Sequence, residues 1–97
     1  MDLNAIVTEL DGSPVKDGTK ELTVKDVVCR CLLGVSCKED QKLSNAVLAL
    51  RVSQGVSELT ADEAATIMGA VKGIGSALIV LRVAELVDPA AVNKLKG

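Results

Sequence analysis

Residues 68-MGAVKGIGSALIVLR-82 decide the fold, because three glycines, Gly69, Gly73 and Gly75, interrupt an otherwise apolar run. They can let helices pack closely, break a helix, or cradle a phosphate. On a helical wheel Ile67, Val71, Ile74 and Leu78 form a large apolar stripe, and Ala65, Gly69, Gly73 and Ala77 form a strip of small residues beside it. Such a strip lets another backbone approach. The Gly73-Ile74-Gly75 segment costs about 2 kcal/mol in helix propensity relative to alanines, and Ser76 is a good N-cap. The spacing therefore predicts one helix over 61–74, a break near 74–76 and a second helix over 77–87.

Working outward, 60-TADE-63 is a capping box that opens the first of these helices, with Leu59 before it. Upstream, 23-TVKD-26 resembles a box with Asp in place of Glu, followed at helical spacing by Val24, Val27, Val28, Cys31 and Leu32, giving a helix over 24–33 that Gly34 ends. Ser36 and Glu39 in 36-SCKE-39 suggest another start, for a helix over 38–53 with Leu43, Ala46, Val47 and Leu50 on its apolar side and Gly55 as its stop. Asp88 and Pro89 predict a short tail helix over 89–95.

At the N-terminus, Asp11-Gly12 and Asp17-Gly18 favour tight hairpin turns. The expected β-ribbon spans 4–16, strands 4–10 and 13–16, with Pro14 at an edge because it has no N–H to donate. The fold class is mainly α with a small N-terminal β-hairpin (α+β), a compact bundle of four to five short helices in one domain over 1–97.

Composition narrows the function. The chain has 97 residues, 48% of them hydrophobic and 25% charged, which is globular rather than disordered composition. It has no aromatic residue and no histidine, so the core must come from Leu, Val, Ile, Ala and Met. With a net charge of −2, no basic cluster and no ring for base stacking, no nucleic-acid partner is expected. Lys72 falls in the middle of the apolar run 64–81, several glycines interrupt it and no Trp or Tyr belt flanks it, so no membrane span is expected either.

Three cysteines without a signal-peptide-like start fit a reducing cytoplasm. Zinc usually takes four ligands, whereas 29-CRCLLGVSC-37 offers three thiols, and Cys29 and Cys31 stand about 200° apart on a helix; no metal site or cofactor is expected. Cys31 is assigned to the core, and Cys29 and Cys37 are read as free thiols. No catalytic residue is assigned: there is no histidine base, and Asp62 and Glu63 suit a helix first turn, where acids complement the dipole.

A weak anion-binding alternative remains at Lys72, Gly73, Gly75 and Ser76, since glycines before a helix can present backbone donors. It lacks a third fingerprint glycine, where Leu78 stands, and the strand of a βαβ unit.

In order along the chain, 11-DGSPVKDG-18, 22-LTVKDVV-28, 58-ELTADEA-64 and 78-LIVLRVAELV-87 together resemble small proteins encoded by tailed bacteriophages and prophages, over about residues 5–88. The resemblance implies action in the cytoplasm of a bacterial host. Small phage proteins without catalytic residues commonly act by binding. The leading expectation is a non-enzymatic accessory protein that self-associates or binds a phage or host protein, to modulate a host or defence factor or to aid assembly. Alternatives are a protein that sequesters an anionic nucleotide, and a virion structural or tail-assembly component. The packing strip Ala65, Gly69, Gly73, Gly75 and Ala77, and the apolar stripe from Leu78 to Val87, are the surfaces expected to carry self-association.

Overall fold

The computed structural model describes residues 1–97 and comprises five helices with a two-stranded hairpin before them. The helices are α1 (Val24–Gly34), α2 (Glu39–Ser53), α3 (Ala61–Ile74), α4 (Ala77–Val87) and α5 (Pro89–Lys96). Helix α1 is central, packing against α2, α3 and α4; α4 also packs on α3 and carries α5. Val24, Val27, Val28, Cys31 and Leu32 of α1 are all buried, and they join Val52, Ile67, Val71 and Val83 in an aliphatic core. Without rings, density comes from short β-branched side chains that let helix axes approach closely.

Local chemistry explains the helix ends. The Thr23 hydroxyl accepts from the Asp26 N–H at 3.2 Å. The remaining N-terminal donors of α1 are met from outside the helix: Ala5 C=O accepts from the Val24 N–H at 2.9 Å, and Leu3 C=O from the Lys25 N–H at 2.7 Å. At α3 the full capping box forms, with Thr60 Oγ1 accepting from the Glu63 N–H at 3.1 Å and Glu63 Oε1 from the Thr60 N–H at 2.9 Å. Ser76 caps α4 by accepting from the Ile79 N–H at 3.4 Å. Helix α2 differs from expectation. Ser36 makes no cap; Lys38 occupies the cap position without a side-chain hydrogen bond, and the first turn relies on Glu39 and Asp40 against the helix dipole.

The hairpin also sits elsewhere than expected. The ladder pairs β1 (Lys16–Asp17) with β2 (Lys20–Glu21), in the register Lys16 opposite Glu21 and Asp17 opposite Lys20. Its turn is the second Asp-Gly, where Gly18 takes a φ of 71°, a left-handed conformation that a tight hairpin turn requires. The expected pairing of 4–10 with 13–16 shrinks to one isolated bridge, Thr8 opposite Pro14. Two causes are visible. The Ser13 N–H goes to the Asp11 carboxylate at 2.9 Å, and the Val7 N–H goes to Leu22 C=O at 2.8 Å instead of to the neighbouring arm. Three segments close a cycle: Val7 donates to Leu22, Leu22 donates to Val15 at 2.9 Å, and Val15 donates to Val7 at 2.8 Å. Val7 is thereby held in the core, fully buried.

Candidate interaction surface

Helix α2 has two apolar lines, and the fold buries the other one. Leu48, Ala49 and Val52 face the core with Asn45, while Leu43, Val47 and Leu50 are 74%, 47% and 56% exposed. The expected inward side, Leu43, Ala46, Val47 and Leu50, is thus largely the outward side. Both lines satisfy helical spacing, so periodicity does not choose between them. Packing chooses: small Ala49 and β-branched Val52 let α2 lie close on α1, where the Cys29 thiol donates to Ala49 C=O at 3.4 Å. That rotation also aims Arg51 at Glu63 of α3, with which it pairs. Leu33, at the end of α1 and 67% exposed, extends the outer apolar surface and borders a hollow with Cys29, Ala46 and Leu50.

Because α2 and α3 both rest on α1, a cleft of about 510 Å³ opens between them. Leu43, Val47 and Leu48 line it on one side, Thr66 on the other, with Asp40, Asp62, Glu63 and Arg51 as its charges. The Thr60 backbone N–H and the Arg51 guanidinium hold the Glu63 carboxyl below the usual carboxylate range. Burial raises the Cys31 thiol; burial and then the nearby Asp26 carboxylate raise that of Cys29, so neither is a ready thiolate at neutral pH. Cys31 is buried, and Cys29 and Cys37 are half-buried; all three are free.

The small-residue strip proves to be several different environments. Ala65 and Gly69 are exposed, and a side chain added at Gly69 would meet nothing within 4 Å. No element of the chain covers that part of α3. Gly73 is approached by the Val35 side chain, 3.0 Å from where its Cβ would stand. Gly75 is the one glycine of the strip that close packing demands, because its Cβ would lie 2.7 Å from Val71 C=O. Ala77 borders a separate apolar groove of about 380 Å³ formed by α3, α4 and α5, with Met68, Val80, Leu81 and Val92 inside and Lys72 and Lys96 at its rim.

Gly75 and Ser76 do separate α3 from α4, with Gly75 in extended conformation. As an anion cradle the turn offers little that is free. The Gly75 N–H donates to Val71 C=O at 2.6 Å, and Ser76 caps α4. Lys72 is exposed, on the α3–α5 groove. The α4 line is mostly absorbed by the fold, with Val83 and Ala84 buried and Leu78, Val80, Leu81, Leu86 and Val87 half-buried. The large exposed apolar line therefore belongs to α2 rather than to α3 or α4.

No helix is long and apolar enough to cross a membrane; the apolar run 64–81 is divided at Gly75. Compared with family models, with curated proteins and with solved structures, the chain matches none of them.

Proposed function

We propose that the chain is a non-enzymatic binding protein of a tailed bacteriophage or prophage, acting in the cytoplasm of its bacterial host by self-association and by contact with a phage or host protein. The observation that carries this reading is the outward line Leu43, Val47 and Leu50 on α2, continued by Leu33 of α1. A contiguous apolar surface rimmed by charges marks an interaction site in a water-soluble domain. Several observations lend it support: the chain has no histidine, the thiols of Cys29 and Cys31 are raised, and the Asp62 and Glu63 carboxylates sit in a helix first turn, with Glu63 part of the capping box. The phage assignment rests on the ordered segments from 11-DGSPVKDG-18 to 78-LIVLRVAELV-87.

Native mass spectrometry of untagged protein, purified gently from bacterial cells, tests the reading. A mass that is a multiple of the chain mass, with or without a stoichiometric second protein, is the expected result. A monomer without any bound protein at micromolar concentration overturns it, and a reproducible small excess mass per chain replaces it with ligand sequestration.

A further inference from the structure

We infer that the polar pocket between α2, α3 and the loop joining α1 to α2 binds a small uncharged molecule, through an edge that carries a hydrogen-bond donor beside an acceptor, as a nucleobase or a lactam does. Asn45 is the group that reads this edge. The inference goes beyond the proposed protein contact and does not depend on it, since a monomer presents the pocket as fully as an oligomer.

Two helices build the pocket in the same way. Gln41, Ser44 and Asn45 of α2, and Thr66, Gly69 and Ala70 of α3, repeat one spacing of three and four residues, so each set shares one side of its helix. Val35, Ser36 and Cys37 complete the lining. The space enclosed is about 290 Å³, at the small end of ligand-site volumes. Gly69 helps to keep it open, with nothing near the place where a side chain would stand. Gln41, Ser44 and Gly69 are exposed, so an occupant exchanges with water and is supplied in the test.

Asn45 distinguishes this pocket from an ordinary hollow. It is the one polar residue buried in the chain, 8% exposed. Burying an amide costs free energy unless its donors and acceptor are met. No group of the chain bonds to the Asn45 carboxamide, which keeps a remnant of accessible surface on the pocket. Its oxygen and its NH2 are both free, so either orientation of the amide presents an acceptor beside donors. A partner edge of the opposite order forms two parallel hydrogen bonds with it, as Asn does with the edge of adenine.

The neighbours narrow the class of ligand. The Ser44 hydroxyl donates to Gln41 C=O at 3.1 Å and the Thr66 hydroxyl to Asp62 C=O at 2.9 Å, so both offer lone pairs to further N–H groups. No Lys, Arg, Asp or Glu lines the pocket, which would leave an ion there without a counter-charge. A neutral heterocycle bearing N–H groups suits this lining, and a phosphate does not.

The test titrates the wild-type chain with adenine, uracil, pyrrolidinone, inorganic phosphate and glucose, followed by nitrogen–proton correlation NMR, which resolves side-chain NH2 groups. Adenine or uracil should shift the Asn45 NH2 signals together with the Gly69 and Ala70 amides. Either should also slow alkylation of Cys37 by iodoacetamide while leaving that of Cys29 unchanged. Shifts from pyrrolidinone as well support the amide edge as sufficient; shifts from the bases alone support a nucleobase. No shift at Asn45 with any of these three overturns the proposal, as do equal shifts with glucose or phosphate. Asn45→Leu should weaken binding about tenfold or more, the loss of two hydrogen bonds. Its melting temperature should be no lower than that of wild type, because the chain itself makes no bond to the amide. A lower melting temperature with binding retained assigns Asn45 to folding and overturns the proposal. Should Asn45→Leu not fold, the wild-type Cys37 measurement decides: alkylation unchanged by adenine and uracil overturns the site.

Discussion

Glycines that look equivalent in sequence have opposite roles in the folded chain. Gly69 lies within a helix with open space where a side chain would go, so Gly69→Ala should stabilise the chain by about 0.5–1 kcal/mol, by relieving glycine's backbone entropy penalty. A melting temperature several degrees higher is the expected readout. Gly75→Ala should destabilise by about 1–3 kcal/mol, because the new Cβ would collide with the Val71 carbonyl, which belongs to the backbone and cannot swing aside. Equal melting shifts for the two variants would show that the α3–α4 break is not held by this close approach. The strip was legible in the sequence as a row of small residues. Which of them had a neighbour was not, since Val35 reaches Gly73 from beyond the end of α1, and Gly75 crowds the Val71 carbonyl only because the chain leaves α3 there in extended conformation.

At the scale of the element, helix starts were legible wherever a side chain closes the cap locally. Thr60 and Glu63 are three residues apart, and the reciprocal bonds follow from that spacing alone. Thr60→Ala should cost about 1 kcal/mol, measured by denaturant melts at neutral pH. Acid should act through Glu63. Its carboxyl lies lower in the folded chain than in the unfolded one, so the stabilisation is complete above the unfolded carboxylate range and is lost as pH falls through the depressed folded value. A series of thermal melts from about pH 5 downward should show this loss, and Glu63→Gln should flatten it. An unchanged acid profile in Glu63→Gln would assign the loss to other carboxylates. Helix α2 shows the limit of such local reading. Its cap is not made by Ser36, and its two apolar lines both fit a helix, so the buried side is chosen by how Ala49 and Val52 meet α1.

Over the whole molecule, the longest-range tie is one that no local pattern announces. Arg82 on α4, with its side chain only 18% exposed, donates from Nε to Thr8 C=O at 2.8 Å and from Nη2 to Glu9 C=O at 2.9 Å, while Nη1 engages Glu85 at 2.9 Å. The fork holds the N-terminal arm against the last core helix, and the arm in turn supplies the carbonyls that complete the start of α1. Arg82→Ala should destabilise by about 1.5–3 kcal/mol, the range for hydrogen bonds to a charged group. Hydrogen exchange at the Val7 and Leu22 amides should quicken beyond the global effect. Arg82→Lys should recover little, because an ammonium cannot reproduce the planar fork. Uniform exchange across the chain in Arg82→Ala would mean that the arm is held by its core residues alone. The sequence by itself determined the helical class, the break at Gly75-Ser76 and the caps at Thr23, Thr60 and Ser76, because each depends on residues within about one helical turn of one another. Only the tertiary structure decided that the ladder forms at Asp17-Gly18, that Arg82 clamps Thr8 and Glu9, and that α2 turns Leu43, Val47 and Leu50 outward. Those outcomes turn on which partner reaches a donor or a helix face first in space, a competition between segments far apart in the chain that short-range spacing does not encode.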